Sequence, residues 1–440
     1  MKCKLLLLLV LAFLNSATFS QVGLRQLDNS IVKIDSMIRR TDRNDSMIMT
    51  PIGLNVFLQR KTVQYLTGTA DLSLAKFYAA YTTDNDKLNL GFNFAFNGNT
   101  SYRLKWVVNP ILEADVKKNF SKLYENDDWQ NNIRGGLKIT YLFGNGSLSF
   151  YKRSQKHRQK GDFMVLRSNT FKDFKDKHDG AALKEDTEQT LYYGAKAKTT
   201  HSKKLSRHQL RKKERELFEK IGIAEADYMA QERAYSRFRT SWLSIWGFAP
   251  LSRSEYYISP GRPQAFAKQR YKLWEANIQY THLHDWEKAG TFYWSGWIKT
   301  AQNNSANAEL MTGVDFNQYN SFPVQGDTLN YAQIATNKAF TGAYDEFMTT
   351  SLYLQSVYFP PVQWTIKPGL SIRYEKNWGD WSPVNWRLGI PVTIQGKDKP
   401  INIELQYRLS DVGNYRNKED HKIKRTLGVS LGFPIVLLYK

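Results

Sequence analysis

The chain has 440 residues, a formal net charge of +21 at pH 7 and an aromatic content of 14%. Its excess of Lys and Arg favours anionic partners. Its one cysteine, Cys3, excludes a disulfide framework, and no stretch after residue 20 has the roughly eighteen consecutive apolar residues of a membrane-spanning helix.

Residues 1–20 have the pattern of a secretory signal peptide. Two lysines precede an apolar run at 5–14, and small residues allow cleavage after Ser20. The run is shorter than the ~20 apolar residues of a membrane anchor. Cleavage would remove Cys3, so we expect no disulfide, thiolate metal site or cysteine nucleophile. Lipid phosphates, acidic glycans and anionic solutes are better partners for an exported chain than nucleic acid, which we do not expect it to bind.

Residues 21–52 form a polar leader, expected on the periplasmic side, and strand-like alternation of apolar and polar residues begins at 53. The clearest early element is a hairpin over 87–109 with a turn at 97–99. Pairing across that turn should place Phe94 near Leu104. Less regular strands are predicted over 53–60, 71–81, 134–143, 146–152, 189–198 and 239–248.

The alternation stops at 199–238, where a basic helical insertion is predicted. Ser206 and Gln209 fit a capping box, and apolar residues recur at helical spacing. An interruption at Gly222 predicts two short helices. The insertion is rich in Lys and Arg at its start: Lys203, Lys204, Arg207, Arg211, Lys212, Lys213 and Arg215.

These basic residues have two interpretations. They form a platform for the phosphates of lipopolysaccharide or another acidic surface, or they are the solvated face of a helix in a generally basic protein. Counting strands back from the C-terminus puts the insertion outside the cell. One additional strand within 249–270 would reverse the side.

Eight further stripes of alternating apolar residues fill the C-terminal half: 274–280, 292–298, 308–316, 348–358, 362–374, 386–394, 401–409 and 427–439. With the earlier strands the total is about sixteen, and any even number from 12 to 16 fits the pattern. A soluble sandwich would produce the same alternation, but its strands average only ~5–6 residues.

The lengths of the connections between strands independently indicate a membrane barrel, because such barrels have short turns on one side and longer loops on the other. Longer connections are predicted at 410–422, 375–385, 317–345 and 281–289. Shorter ones alternate with them, at 396–400, 359–361 and 301–305.

With its signal segment, its repeated strands and a last strand that ends at the aromatic Tyr439, the chain resembles the bacterial outer-membrane β-barrel class. The resemblance covers 271–440 clearly and 53–198 less clearly. It implies an all-β fold: a transmembrane antiparallel up-and-down barrel of about 12–16 strands over 53–440, in the cell outer membrane, with a small helical insertion. Members of the class typically end in an aromatic residue, usually Phe, that the barrel-assembly machinery recognises. Here Lys440 follows Tyr439, which departs from that pattern.

Charged residues on the polar face of these strands predict a cluster inside the barrel. Across the turn at 396–399, antiparallel pairing brings Arg387 close to Arg408, with Glu404 one or two pairs away. Arg373 lies on the preceding strand. In a water-filled lumen the cluster would favour anions. The alternative is a salt-bridged, filled interior.

No pattern of catalytic or metal-binding residues is complete. His282-Leu283-His284-Asp285 is the nearest to a metal cluster, and two histidines at the barrel rim are the simpler interpretation. Outer-membrane phospholipases of this class have His-x-Ser with a nearby Asn on an outward strand face. No histidine here has Ser two positions later. We therefore expect no catalysis, cofactor or metal.

The leading function from the sequence is a pore with a polar, locally cationic lumen. The alternative is a plugged structural or interaction barrel that acts as a subunit or surface scaffold through its long loops, and a third is a lipid-modifying enzyme of the outer leaflet. Expected partners are outer-membrane lipids and lipopolysaccharide, the barrel-assembly machinery through the C-terminal strand, and anionic solutes or a protein at the loops.

Overall fold

The computed structural model describes residues 49–437, apart from 66–70, 83–86, 98–103, 116–123, 126–127, 130–132, 144–145, 150–160, 175–206, 233–234, 252–253, 260–265, 309, 324–328, 363, 396–399 and 414–423. The predicted signal peptide, the leader up to residue 48, the strand at 189–198 and Tyr439 lie outside these residues. The chain forms two compact units: Met1–Val56 with Phe150–Ala234 and Lys440, and Phe57–Ser149 with Tyr235–Tyr439.

The second unit consists of strands. In chain order the described strands are β1 (Ala75–Thr82), β2 (Lys87–Phe92), β3 (Phe94–Asn97), β4 (Leu104–Asp115), β5 (Tyr124–Glu125), β6 (Asp128–Trp129), β7 (Ile133–Leu142), β8 (Ser147–Ser149), β9 (Arg237–Pro250), β10 (Ser254–Ser259), β11 (Ala267–Tyr271), β12 (Glu275–Trp286), β13 (Gly290–Asn304), β14 (Thr312–Pro323), β15 (Leu329–Thr341), β16 (Glu346–Phe359), β17 (Ile366–Pro368), β18 (Leu370–Gly379), β19 (Val384–Gln395), β20 (Pro400–Ser410) and β21 (Lys424–Leu437).

Twelve of the described strands close into one antiparallel barrel, in the order β1, β2, β4, β7, β9, β12, β13, β16, β18, β19, β20 and β21. The pairing of β21 with β1 completes the ring. The predicted fold class is therefore confirmed, with a strand number at the lower end of the expected range. Strands β1 and β21 meet at the pair Ala75 and Leu437, which marks what we call the terminal end of the barrel. The opposite end, which we call the loop end, carries the longer connections 116–132, 251–274, 305–345 and 411–423, whereas the long stretch between β7 and β9 starts and ends at the terminal end.

Apolar side chains face outward and polar side chains face inward. On β20, Leu405 is 45% exposed, whereas its neighbour Gln406 is 4% exposed. The outward group also includes Ile278, Ile298, Leu354, Leu388, Ile390 and Ile401, and the buried group includes Asn277, Gln279, Ser351, Asn385, Thr393, Asn402 and Glu404. A barrel in water would have the opposite arrangement, because apolar surface is costly to hydrate. The predicted lipid-facing stripe and polar interior are both present.

Aromatic side chains form a band on the outward face near the terminal end. Consecutive ring centroids lie 4.7 Å apart for Trp106 and Tyr141, 5.4 Å for Tyr141 and Phe143, 6.1 Å for Phe143 and Tyr280, and 5.6 Å for Tyr280 and Trp294. These five residues are called the terminal-end girdle. Trp and Tyr concentrate at membrane interfaces because each has an apolar ring and a polar tip. The girdle therefore marks one edge of the lipid-facing belt.

The predicted strand at 53–60 is wrong, because these residues belong to helix α1, Pro51–Val63. Gly53 N donates to Thr50 Oγ1 at 3.1 Å, so Thr50 caps the helix, and Pro51 occupies the first helical position. The apolar residues of this segment are compatible with a strand and with a buried helix. The capping residue Thr50 and the proline at position 51 favour the helix.

The first unit holds two further described helices, α2 at 161–174 and α3 at Arg207–Gln231. Helix α3 continues through Gly222, so the predicted break is wrong. A Cβ atom on Gly222 would lie 2.6 Å from Ile52 Cγ2 and 3.0 Å from the Ile52 carbonyl carbon. Glycine is needed there so that α3 can approach the start of α1 closely.

A buried carboxylate ties these helices together inside the first unit. Glu225 on α3 accepts hydrogen bonds from Thr50 N at 2.8 Å and Thr50 Oγ1 at 2.6 Å, and its other oxygen accepts from Arg167 Nε on α2 at 2.6 Å. Because both oxygens have partners, the charge is stabilised without water. This polar contact joins the cap of α1 to the two other helices.

The apolar stripe at 308–316 is not part of the barrel. It falls partly on β14, which belongs to a separate four-stranded sheet in the order β11, β10, β15, β14. Without this stripe the strand count back from the C-terminus changes by one, and the side of the membrane on which the insertion lies stays a prediction. Strand β7 ends and β9 begins at the terminal end, opposite to the loop end.

Four loop predictions and one register also differ from the structure. The stretch 281–289 lies mostly in β12, with a tight turn before Gly290, and 301–305 lies mostly in β13. The predicted connection 375–385 lies mostly in β18 and β19, and 317–345 lies mostly in β14 and β15. The predicted hairpin is present as β3 and β4, but Phe94 pairs with Val108 instead of lying near Leu104. Among the described residues, no helix is long and apolar enough to cross a membrane.

The outward apolar belt can be tested by arginine substitution on β16. Leu354 and Met348 both face outward, Leu354 near the middle of the strand and Met348 near the loop end. We expect Leu354→Arg to lower the free energy of unfolding in a bilayer by about 2–4 kcal/mol, and Met348→Arg by about 0–1 kcal/mol, because the cost depends on depth. Urea unfolding in liposomes measures both values. Equal effects would mean that this face does not border lipid.

Candidate functional site

The lumen of the barrel contains a segment of the chain's own N-terminal part. We call residues 57–65 and 71–74 the plug segment, and they belong to the same unit as the barrel. Asn402 Nδ2 donates to the Val63 carbonyl at 2.8 Å, and Thr393 Oγ1 donates to the Gln64 carbonyl at 2.6 Å. Both donors are buried, so inward side chains of β19 and β20 hold the chain where α1 ends.

Other walls of the barrel hold the plug segment in the same way. Lys138 Nζ on β7 donates to the Asp71 carbonyl at 2.9 Å. Tyr293 OH on β13 donates to the Lys61 carbonyl, and Gln355 Nε2 on β16 donates to Tyr65 OH. The cavity left between plug and wall near Tyr65 has a volume of about 20 Å³. That is room for about one water molecule, so the described residues leave little space between the plug segment and the wall there.

An ion pair completes the attachment near the terminal end. Lys61 Nζ lies 2.8 Å from Asp285 Oδ2 on β12. The same carboxylate accepts hydrogen bonds from Tyr235 OH at 2.5 Å and from Thr291 Oγ1 at 2.6 Å. Asp285 is buried, and its oxygens therefore have three protein partners in place of water.

Above the plug segment, toward the loop end, lies a cavity of about 190 Å³ that we call the vestibule. Its lining is mostly polar or charged: Asp71, Thr82, Lys87, Asn89, Glu113, Arg134, Trp246, Glu275, Asn277, Trp297, Lys299, Tyr353, Arg373, Arg387, Gln406 and Ser430. Five of these side chains are basic and three are acidic, so the lining has a cationic excess.

One side of the vestibule is a continuous ion network. Glu113 pairs with Lys87 at 2.8 Å and with Arg134, which also lies 3.1 Å from Glu275. Glu275 in turn pairs with Lys299 at 3.2 Å. Two carboxylates and three cations therefore alternate across β2, β4, β7, β12 and β13.

The predicted arginines form the other side. Arg373, Arg387 and Arg408 are consecutive cross-strand partners on β18, β19 and β20, so they lie in one row as the turn at 396–399 predicted. Arg373 donates to Gln355 Oε1 through Nη2 at 2.8 Å and Nε at 3.1 Å, and its guanidinium lies 5.0 Å from the Trp297 ring centroid. Arg373 and Arg387 line the vestibule, whereas Arg408 does not.

Glu404 lies on the same lumen face but contacts other groups. It accepts hydrogen bonds from Ser371 Oγ and from Gln406 Nε2, the latter at 2.7 Å. Arg408 instead approaches Glu375, at the long distance of 3.9 Å. The pairing of Arg387 with Arg408 is as predicted, and Glu404 lies four residues from Arg408 on β20 with hydrogen-bond partners of its own.

The basic residues of the insertion are only partly described. Lys203 and Lys204 lie outside the described residues, and Arg207 and Arg211 occupy the first turns of α3. Lys213 is half-buried, whereas Lys212 and Arg215 are exposed, and Arg215 pairs with Glu219 at 3.0 Å. An exposed pair of this kind contributes little stability. Anion binding by this group stays a prediction.

The structure divides the predicted histidine and aspartate group between two faces of the wall. Asp285 points into the lumen toward Lys61, while His282 and His284 face outward with ring centroids 4.4 Å apart. Among the described residues, no group of three His, Cys, Asp or Glu side chains could hold a metal ion.

One outward contact was missed in the sequence. Ser241 Oγ on β9 and His282 Nδ1 on β12 lie 2.7 Å apart, and the two residues are cross-strand partners. A search for His-x-Ser along a single strand cannot find this pair, because 41 positions separate the residues. Alignment of the two outward stripes, with Ile245 opposite Ile278, would have paired them.

Comparisons with known proteins show similarity in fold only. No family model matches the chain, and no curated protein matches its sequence. It is similar in structure to the beta domain of the Bordetella autotransporter BrkA, with 7% identity and a TM-score of 0.31. The match covers 81% of this chain and 94% of the BrkA domain.

Two further structures are similarly distant. The porin NanC has 6% identity and a TM-score of 0.26, covering 81% of this chain and 98% of its own. OmpT, an outer membrane protein of Vibrio cholerae, has 8% identity and a TM-score of 0.25, covering 82% of this chain and 96% of its own. These are bacterial outer-membrane barrel structures, the class predicted from the sequence, and no narrower family is indicated.

The attachment of the plug segment can be tested by labelling. We expect Asn402→Ala to raise the rate at which a maleimide reacts with a cysteine placed at Gln64, in a chain without Cys3, by about tenfold, because one or two kcal/mol of attachment is lost. The matched control is Asn277→Ala, which removes a lumen asparagine bonded to Glu275 and not to the plug segment. Equal rates in the two variants would contradict the attachment.

Proposed function

We propose that this protein is an outer-membrane barrel that forms a closed passage for small anionic solutes, with the plug segment as its gate. The observation that carries the proposal is the attachment of one chain segment to inward side chains of β7, β12, β13, β16, β19 and β20. The lumen is occupied at the terminal end and leads into the polar vestibule toward the loop end.

The plug segment packs on the wall through aromatic contacts such as Phe57 with Tyr235 and Phe238, and its polar contacts are the part that a gate can exchange. Backbone carbonyls at 61, 63, 64 and 71 accept hydrogen bonds that water can replace, and the ion pair of Lys61 with Asp285 can be solvated in the same way. A net hydrogen bond contributes only about 0.5–1.5 kcal/mol, so a handful of them can be exchanged at moderate cost.

The charge of the vestibule supports anionic solutes. Arg373 and Arg387 lie side by side in the row that faces the ion network, and the lining has a cationic excess. Such an excess in a low-dielectric channel raises the local concentration of anions. In this proposal, the pore and the plugged barrel predicted from the sequence are the open and closed states of the same protein.

The proposed location follows from the signal-like start and the lipid-facing belt together. In the outer membrane, β21 would be the strand that the barrel-assembly machinery recognises, and the belt would contact the membrane lipids. The second candidate function is a permanently plugged scaffold. It is favoured by the four-stranded sheet of β10, β11, β14 and β15, which is built from loop-end connections and offers a surface for a protein partner.

Conductance in planar bilayers tests the gate. We expect the native chain to stay mostly closed, and a variant with residues 57–65 replaced by a Gly/Ser linker of equal length to conduct, because the ties to the wall are lost. A replaced variant that shows heat-modifiable gel mobility, and is therefore folded, yet remains silent would overturn the passage and favour the scaffold.

Ion selectivity tests the vestibule in the same conducting background. Arg373→Glu with Arg387→Glu should change anion preference to cation preference, because four units of charge change within the lining. The matched control is Arg237→Glu with Arg239→Glu, which changes the same charge on the outward face. If both pairs shift the reversal potential equally, the vestibule does not set selectivity.

A further inference from the structure

We propose that the outward face of β9 and β12 binds the phosphate group of a membrane phospholipid through Arg237, Arg239, His282 and His284. We call these four residues the rim patch. The patch lies on the outward face of the barrel and shares no residue with helix α3, and the proposal depends on the barrel's spanning a bilayer with its terminal end on the periplasmic side.

The register of the two strands brings the patch together. Arg239 is the cross-strand partner of His284, and Arg237 that of Trp286. The rings of His282 and His284 lie 4.4 Å apart, and His284 lies 4.9 Å from Trp286. Four groups that can donate hydrogen bonds to an anion therefore share one outward surface.

The depth of the patch matches lipid headgroups. His282 is the partner of Trp294 on β13, and it follows Tyr280 by two positions on β12. Tyr280 and Trp294 belong to the terminal-end girdle, and Ile278 and Ile298 continue the apolar belt beyond them. Two positions along a strand span ~7 Å, so the patch begins immediately outside the girdle, where phosphates lie.

The charges of the patch lack a protein counterion. In the described part of the chain, none of the four residues takes part in an ion pair. Arg239 Nε donates to Ser147 Oγ at 3.0 Å, and this hydrogen bond does not use the two terminal nitrogens of the guanidinium. Arginine next to a membrane is stabilised by lipid phosphate, which it contacts with two parallel hydrogen bonds.

The contact with Ser241 orients the ring of His282. Because its Nδ1 lies 2.7 Å from Ser241 Oγ, the ring is held with Nε2 as its remaining polar atom. When the serine hydroxyl donates to Nδ1, the proton of the neutral ring is on Nε2, which can then donate to a phosphate oxygen. With the terminal end on the periplasmic side, the ligand is a glycerophospholipid of that leaflet.

Binding of lipid by the folded protein tests the proposal. Phosphatidylglycerol is titrated into the detergent-solubilised full chain, and retained lipid is counted by native mass spectrometry. We expect Arg237→Gln with Arg239→Gln to weaken retention about 30-fold, because each interfacial arginine contributes roughly fivefold. The matched control, Arg270→Gln with Lys272→Gln, removes the same charge from exposed positions in the loop-end connection 251–274 and should retain lipid as the native chain does.

Two further measurements keep the result interpretable. Heat-modifiable gel mobility shows which variants are folded, and His282→Gln offers a milder change that should weaken retention severalfold. Inorganic phosphate added in excess should not displace the lipid, because the acyl chains contribute through the apolar belt. Equal retention by the rim-patch and control variants, or full displacement by inorganic phosphate, would overturn the phospholipid site.

Discussion

Satisfaction of the backbone hydrogen bonds is the constraint on which the rest of this structure depends. In the hydrocarbon of a bilayer an unpaired N–H or C=O costs several kcal/mol, and a sheet can avoid that cost only by closing on itself. Here β21 closes onto β1 in an antiparallel register from Thr82 and Ser430 to Ala75 and Leu437. Once the ring is closed, the alternation of side chains fixes the rest: each strand has one face toward lipid and one toward the lumen.

A polar lumen then creates a second requirement, because its buried groups need partners. Asn402, Thr393 and Lys138 point inward from three different strands and each donates to a backbone carbonyl of the plug segment. Helix α1 ends at Val63, so the carbonyls of Val63 and Gln64 have no donor within the helix. The wall and the plug segment thus satisfy each other's hydrogen bonds, and closure of the passage follows from the same balance that stabilises the interior.

Much of the barrel could be predicted from the sequence because its determinants are local. Period-two alternation located β16, β19, β20 and β21, and the short turn at 396–399 fixed the register that places Arg387 beside Arg408. Where the determinant was ambiguous, the prediction failed. Residues 53–60 are apolar enough for a strand or a buried helix, and the stripe at 308–316 alternates as a barrel strand does, although β14 pairs with β15 in another sheet.

The remaining features depend on contacts that only the folded chain creates. Gly222 appeared to break a helix, yet its role comes from the close approach of Ile52, about 170 positions earlier in the chain. The plug segment has no pattern of its own, because its partners are single side chains on separate strands. Ser241 and His282 likewise meet only when β9 pairs with β12.

The central claim is that the apolar face of a closed barrel borders lipid, and spin-label accessibility along β16 tests it most directly. Nitroxide labels at successive positions from 347 to 358 are measured in liposomes with oxygen as the lipid-soluble probe and a nickel chelate as the water-soluble one. The account predicts oxygen accessibility with a period of two and maxima at the even positions, where Leu354 and Tyr358 lie. Maxima for the nickel chelate at those even positions would contradict it.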